Sequence, residues 1–298
     1  MKPAFSTVAC PDWTFARLVE HAAKWGFLGC ELRTFGYGST QFSCDPALSS
    51  AAKVRLVLER AGLEIVSLAT SIRYDEPITP PVLGMVFGDT ERSVRESKGV
   101  IDLAVRMECP YVRVFGFEIV GNESRKSAMA RIAGRLGKAT DHARNSGVKL
   151  LIENGGSFST SAQMAELMDA VGSPLLEAAY SVPVALLAGE KPADGINVLS
   201  DRLAVVKLRD YKGGRPCTLG EGDIDNRSAI DALARARFAG WVVFEHDRAW
   251  IGGDAAHPLP DLDSVMKESA MRLFEWIERA KGLSKRPDVE RVTGAANP

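Results

Sequence analysis

The chain has 298 residues, of which 46% are hydrophobic and 25% charged, and its net charge at pH 7 is -1. This composition is that of a globular protein with a large core, and it excludes a polyanion or a membrane surface as an expected partner. No apolar run reaches the length of a membrane span, and no secretory signal precedes the first predicted strand. Five scattered cysteines without a Cys-x-x-Cys pair predict a reduced, cytoplasmic protein.

Two kinds of periodicity alternate along the chain. The predicted strands are mostly continuous apolar runs, which is typical of strands that are covered on both faces. They span residues 4–9, 28–33, 64–70, 111–116, 149–153, 176–180, 203–208 and 241–246. Helical spacing predicts helices over 12–25, 47–61, 90–107, 125–146, 160–171, 184–199, 226–238 and 262–281. Asp12 and Gly26 are expected to cap the first helix.

Eight strands that alternate with eight helices predict an α/β protein, a closed (β/α)8 TIM barrel. No Gly-x-Gly-x-x-Gly motif follows an early strand, which argues against a dinucleotide-binding sheet. We expect a single barrel domain over 1–281 and a polar tail over 282–298. Long loops at 71–89 and 247–261 follow strands, so they are expected on the face where barrel enzymes bind their substrates.

Carboxylates stand at the ends of two strands on different sides of the predicted barrel. Glu153 ends strand five and Glu245 ends strand eight, each directly after apolar residues. Inward carboxylates at these positions would face each other over the pocket. There they can transfer a proton on a substrate or hold a divalent cation that polarises a carbonyl. The alternative is that each forms a salt bridge with a neighbouring Arg or Lys.

Four motifs carry a resemblance to a known family: LLIENGG, VVKLRD, TLGEGDID and WVVFEHD. Together they resemble the sugar phosphate isomerase/epimerase superfamily of xylose isomerase-like barrels over roughly residues 1–281. The resemblance implies a small, polar, carbohydrate-like substrate and a homo-oligomer. It also implies an enzyme that transfers a proton next to a carbonyl group of a sugar or polyol.

The resemblance also implies a metal site, from which this sequence departs. Family members take a Glu from strand five, an Asp from strand six, a His from strand seven and a Glu from strand eight. Glu153 and Glu245 match the first and last ligands, whereas Ser181 and Lys207 stand at the Asp and His positions. We therefore expect no cofactor. A Mn²⁺, Mg²⁺ or Zn²⁺ ion held by Glu153, Glu245 and a rearranged ligand set is the alternative.

Lys207 changes the chemistry that is expected at this site. A protonated amine cannot coordinate a metal, and its charge repels a divalent ion. Between the two carboxylates it is predicted to supply the positive charge itself, so that Glu153, Glu245 and Lys207 are the catalytic candidates. A structural ion pair and a Schiff base between Lys207 and a carbonyl substrate are the alternatives.

Further polar residues near the strand ends are candidates for substrate binding. Arg215, together with Lys212, is suited to hold a phosphate or carboxylate. Arg113 is expected to pair with Glu153 or to bind substrate, and Asp210 to anchor its own loop. The remaining substrate-binding candidates are Asn154, Ser181, His257 and Glu31. The other histidines are predicted to pack in the helix layer or lie at the surface: His21, His142 and His246.

Two classes of function remain open from the sequence. The first is an isomerase or epimerase-like enzyme that works without the divalent metal of its family. The second is a non-catalytic barrel, either a small-ligand-binding protein or a scaffold, that has lost the metal site. An endonuclease IV-type activity needs several metals with many His and Asp ligands and a basic groove, and the sequence lacks both.

Overall fold

The computed structural model describes residues 1–35, 51–77, 91–119, 123–247 and 260–282. Eight parallel strands close into a barrel in the spatial order β1-β8-β7-β6-β5-β4-β3-β2. The strands are β1 (Lys2–Ser6), β2 (Gly29–Arg33), β3 (Glu64–Arg73), β4 (Tyr111–Phe115), β5 (Lys149–Glu153), β6 (Leu176–Ser181), β7 (Leu203–Leu208) and β8 (Trp241–Phe244). The predicted (β/α)8 barrel is therefore confirmed.

Helices follow the strands and cover the outside of the barrel. They are α1 (Phe15–Trp25), α2 (Ala51–Arg60), α3 (Arg92–Met107), α4 (Arg125–His142), α5 (Ser161–Val171), α6 (Val182–Leu187), α7 (Pro192–Leu199), α8 (Asn226–Arg235) and α9 (Leu262–Ala280). None of them, among the described residues, is long and apolar enough to cross a membrane.

Strand alternation sorts the side chains of the barrel into two cores. On β7, Val206 and Leu208 pack toward the helices, whereas Val205 belongs to a small apolar cluster inside the barrel. We call this cluster the apolar layer; it comprises Ala4, Val66, Leu151, Ala179, Ala204, Val205, Trp241 and Val243. Successive side chains of a strand point to opposite faces. The residues two positions beyond Leu151, Val205 and Val243 therefore also point inward, at the carboxyl end of the barrel.

Two local predictions near the start of the chain differ from the structure. Helix α1 begins at Phe15 and is capped by Thr14, whose Oγ1 accepts from the amide N of Arg17 at 3.2 Å. Thr14 is therefore the N-cap in place of Asp12, because its side chain accepts from the backbone amide three residues later, which has no partner within the helix. Strand β1 lies earlier than predicted and passes into a 3₁₀ turn over Thr7–Ala9.

The segment predicted as one helix over 184–199 forms two. Helix α6 ends at Leu187, and α7 begins at Pro192 after a turn in which Gly189 has φ +82°. A proline fits the first turn of a helix but not its interior, so a new helix begins at this residue. Strand β3 extends to Arg73, beyond the predicted 64–70. Residues 78–90, 248–259 and 283–298, which hold most of the two predicted long loops and the tail, lie outside the described residues.

Candidate active site

Three carboxylates meet one lysine inside the barrel. The Nζ atom of Lys207 lies 2.9 Å from Oε1 of Glu31, 3.1 Å from Oε2 of Glu153 and 3.6 Å from Oε2 of Glu245. The contact with Glu153 also has the geometry of a hydrogen bond. The carboxylates come from β2, β5 and the residue after β8, which are spread around the barrel. The predicted convergence of Glu153, Lys207 and Glu245 is confirmed, and Glu31 is a third carboxylate of the same site.

Two arginines complete the arrangement. Arg113 Nε lies 3.3 Å from Oε2 of Glu153, so the predicted pair between these residues is present. Arg209 Nε donates to Oε2 of Glu245 at 2.9 Å, and Arg209 Nη2 contacts the same oxygen. We call these six residues the charge cluster: Glu31, Glu153, Glu245, Lys207, Arg113 and Arg209. Three negative and three positive charges therefore balance within it.

The charge cluster is deeply buried. Lys207 and Glu31 are completely inaccessible, and Glu153 and Glu245 are 4% and 3% exposed. Arg209 keeps about a quarter of its side chain accessible, at 24%. Lys207 thus lies beneath the floor of the barrel mouth. Arg209 is the most exposed member of the cluster, and Glu153, Glu245 and Arg113 are each 3–4% exposed.

Burial and ion pairing act in opposite directions on the charged groups. Burial by itself lowers the pKa of Lys207, but Glu153, Glu245 and Glu31 outweigh burial and hold that pKa above its ordinary value. Burial raises the pKa of Glu245, but Arg209, Lys207 and Arg113 outweigh it and bring that pKa down to about 2. Both groups are therefore charged at neutral pH. A protonated Lys207 is not a nucleophile, which argues against the Schiff-base alternative.

Ser181 and Asn154 join the ends of β5 and β6. Ser181 lies beside Lys207 in the strand register. Its amide N donates to Oδ1 of Asn154 at 2.6 Å, while Asn154 Nδ2 donates to the carbonyl oxygens of Ser181 and Ser159. The amide of Asn154, a predicted substrate-binding group, is thus occupied by backbone. The Oγ atom of Ser181 is buried and has no hydrogen-bond partner among the described residues.

Asp210 anchors the loop after β7, as predicted. Its carboxylate accepts from the backbone amides of Tyr211, Gly220, Gly222 and Ile224, at 2.7–3.3 Å. A Cβ atom on Gly222 would lie 2.1 Å from Oδ1 of Asp210, so only glycine allows this approach. Lys212 and Arg215 pair across a short hairpin and are exposed there, outside the charge cluster. Their proposed role in binding an anion stays a prediction.

The described histidines lie outside the charge cluster, as predicted. His246 is buried with its ring stacked on Phe244, at 6.1 Å between ring centroids, on the helix side of β8. The Nδ1 atom of His21 lies 2.6 Å from a carboxylate oxygen of Asp263 in α9. His142 pairs with Asp102 at the surface. His257, a predicted substrate-binding residue, lies outside the described residues.

Two members of the site were not found by sequence reasoning. Arg209 lies two positions after Lys207 and therefore points to the same face of β7, a signal that strand alternation alone provides. Ser67 donates from Oγ to Oε2 of Glu31 at 2.9 Å and orients that carboxylate. No sequence signal predicts this contact, because the register between β2 and β3 shifts at Cys30 and Glu31.

The donor set does not fit the metal site implied by the resemblance. Within the described ranges, no group of three or more His, Cys, Asp and Glu side chains is placed to hold a metal ion. The three carboxylates surround an ammonium group instead, and Ser181 supplies a hydroxyl where a carboxylate ligand is expected. Family metal chemistry cannot be carried over to these residues.

A separate surface cavity of about 570 Å³ lies at the opposite end of the barrel. Its lining includes Arg55, Glu59 and Trp241. Arg55 pairs there with Glu59 and with Glu108. The cavity is lined by none of the residues of the charge cluster, which lies at the other end of the barrel.

Comparison with known proteins places this barrel in a family. The model of the xylose isomerase-like TIM barrel family matches residues 19–275, so the chain belongs to that family. No curated protein matches the sequence.

Solved structures share the fold at low sequence identity. An L-ribulose 3-epimerase is 17% identical, with a TM-score of 0.78 over 94% of this chain and 96% of that one. A D-allulose 3-epimerase from Methylomonas sp. is 17% identical, with a TM-score of 0.72 over 93% and 98%. A xylose isomerase domain protein from Alicyclobacillus acidocaldarius is 18% identical, with a TM-score of 0.73 over 95% and 100%. These likenesses concern the fold.

Proposed function

We propose that the protein is a sugar or polyol isomerase/epimerase-like enzyme that transfers a proton next to a carbonyl group. The observation that carries this proposal is the convergence of Glu153, from β5, and Glu245, the residue after β8, on one cationic centre beneath the barrel mouth. A carboxylate can remove a proton from a carbon beside a carbonyl, and nearby positive charge stabilises the enediolate that results.

The ion pairs leave part of each carboxylate for a substrate. Glu153 and Glu245 both use Oε2 in the ion pairs described above, and among the described residues no hydrogen bond is donated to either Oε1 atom. Because the pKa of Glu245 is lowered to about 2, this residue is ionised at neutral pH and begins a reaction cycle as the base. The accessible guanidinium of Arg209 is suited to donate to the oxygen on which negative charge develops.

The comparisons support the substrate class. The chain belongs to the xylose isomerase-like TIM barrel family, and two of its structural neighbours carry the names of ketose 3-epimerases. A small neutral sugar is therefore the first substrate to test, and the internal charge balance of the charge cluster agrees with a neutral ligand.

Hydrogen exchange tests the proposal directly. The protein is incubated in D₂O with a panel of ketoses, aldoses, polyol-derived ketones and keto-acids, and deuterium at carbon is measured by NMR. Exchange into at least one compound is expected, with a loss of about 10²–10⁴-fold in Glu245→Gln and Glu153→Gln. Glu177→Gln is the matched control, because Glu177 lies on β6 but pairs with Lys149 away from the charge cluster. Equal exchange in all three variants contradicts the assignment.

A non-catalytic sugar-binding barrel is the second candidate. The same lowered pKa of Glu245 favours it, because a carboxylate held ionised by Arg209 and Lys207 is a weak base. Calorimetric binding of a sugar that shows no deuterium exchange would select this candidate over the enzyme.

A further inference from the structure

The position of the Lys207 Nζ atom distinguishes this barrel from a metal-dependent one. Lys207 stands where the family resemblance places a metal-ligating His, and its Nζ atom lies between Glu31, Glu153 and Glu245. The carboxylates are thus gathered around a positive charge that belongs to the chain itself.

The size of this cage matches an ammonium group. The distances from Nζ to the three carboxylate oxygens are 2.9, 3.1 and 3.6 Å. Bonds from oxygen to Ca²⁺ measure about 2.3–2.6 Å and those to Mg²⁺ about 2.0–2.1 Å. The oxygens therefore stand at ammonium distances from the centre that Lys207 occupies, and they would have to move inward to coordinate a divalent ion.

The third carboxylate is also built into the cage. Glu31 is completely buried, is held by the hydroxyl of Ser67 and makes the shortest of the three contacts with Lys207. Within the charge cluster, removal of the Lys207 charge would leave three carboxylates facing only Arg113 and Arg209. A net negative, oxygen-lined cavity of this kind suits hard cations such as Mn²⁺, Mg²⁺ and Ca²⁺.

We infer that Lys207 is a tethered cation that takes the place of the family's divalent metal, and that Glu31, Glu153 and Glu245 form a cation cage that accepts a metal only when this side chain is removed. The inference deepens the proposed function, and only its catalytic part depends on that function. Lys207 acts through the carboxylates that it holds, because it does not itself reach the barrel mouth.

Metal binding is measured on the purified full chain. Elemental analysis after dialysis and calorimetric titration with MnCl₂ are applied to the parent protein, Lys207→Ala and the double variant Glu31→Gln with Lys207→Ala. The parent is expected to carry no stoichiometric metal, and Lys207→Ala to bind one Mn²⁺ per chain. Loss of the Glu31 charge is expected to weaken that binding by about tenfold or more. Lys149→Ala is the control, since it removes another barrel lysine from a pair with Glu177.

The outcomes separate cleanly. Stoichiometric metal in the parent that is lost in Glu153→Gln overturns the inference, as does a folded Lys207→Ala that takes up no Mn²⁺. If Lys207→Ala does not fold, it is refolded with and without MnCl₂, and folding that requires the metal supports the cage. Failure under both conditions, with no Mn²⁺ uptake by Lys207→Ser, overturns it. None of these measurements needs turnover. If the protein shows no hydrogen exchange with any substrate, the proposed enzymatic function fails, whereas the inference about Lys207 is still decided by the metal measurements alone.

Discussion

The interior of the barrel has two neighbouring layers that are held together by different forces. The apolar layer, around Leu151, Val205 and Val243, is buried and contains no charge. Two residues further along the same strands, Glu153, Lys207 and Glu245 form part of the charge cluster, which is almost as deeply buried. The apolar layer and the charge cluster therefore share the same backbone geometry and differ only in the chemistry of their side chains.

This difference determines how each layer responds to substitution. Hydrophobic burial is non-directional, so a side chain of similar volume replaces another at modest cost. A buried ion pair gains little over an apolar pair, but removal of one partner leaves an uncompensated charge in a medium that solvates it poorly. Removal of one charged member is therefore expected to destabilise the charge cluster, whereas a volume-conserving exchange in the apolar layer is expected to cost little.

Replacement of Lys207 is expected to have the largest effect on stability. Lys207→Met keeps the length of the side chain but leaves three carboxylates without their common counter-charge, at a cost of about 3–5 kcal/mol near neutral pH. The matched control is Leu151→Met in the apolar layer, which is expected to cost less than about 1.5 kcal/mol. Urea unfolding of both variants and the parent measures the difference.

The pH dependence sharpens the same test. In Lys207→Met the repulsion exists only while the carboxylates are ionised, and it is relieved when one of them takes a proton. The lost counter-charge raises the pKa of one carboxylate above its ordinary value, so the deficit relative to the parent should shrink as the pH falls through that raised pKa. Leu151→Met should show a deficit that does not change with pH. Parallel pH curves for the two variants would mean that the charge of Lys207 contributes nothing.

Replacement of Arg209 is expected to have an intermediate effect. Arg209→Met removes the contact that most lowers the pKa of Glu245 and should cost about 1–3 kcal/mol at pH 7, since Arg209 is partly accessible. In the parent, the stability from Glu245 is fully present above pH 4.5 and is lost as the pH falls toward about 2. The gap between parent and variant should close over that range in unfolding experiments.

The control for this prediction is an arginine at the other end of β7. Arg202 pairs with the exposed Asp169, so Arg202→Met should change stability by less than about 1 kcal/mol. If Arg209→Met is no more destabilising than Arg202→Met, the ion pair with Glu245 does not hold the charge cluster together.

The periodicity of the sequence was sufficient to predict the barrel fold, because the pattern of apolar residues depends only on which side chains are buried. Continuous apolar runs marked the strands, and the residue type after each run marked Glu153 and Glu245 as inward carboxylates. The pair between Arg113 and Glu153 was also predictable, since both lie on neighbouring strands with the same inward orientation.

Contacts that depend on register were not predictable in this way. Asn154 was expected to bind a ligand, but it bonds to the backbone of Ser181 because β5 and β6 align there. Glu31 was a substrate-binding candidate, and only the closure of the barrel reveals that it contacts Lys207. Which polar atoms remain for a substrate depends on these tertiary contacts, and a single sequence carries no direct signal for them.

Ser181 should be the least costly substitution in the charged end of the barrel. Its Oγ atom is buried without a partner among the described residues, so Ser181→Ala removes a desolvated hydroxyl and loses no protein hydrogen bond. Stability should be unchanged or higher by up to about 1 kcal/mol. Ser67→Ala is the matched control, because that buried hydroxyl donates to the carboxylate of Glu31, and its loss should cost about 1.5–3 kcal/mol. Thermal and urea unfolding of the two variants give the comparison. A Ser181→Ala variant as unstable as Ser67→Ala would mean that an ordered water or ligand bonds to Ser181, and the charge cluster would then extend to the position where the family places its Asp ligand.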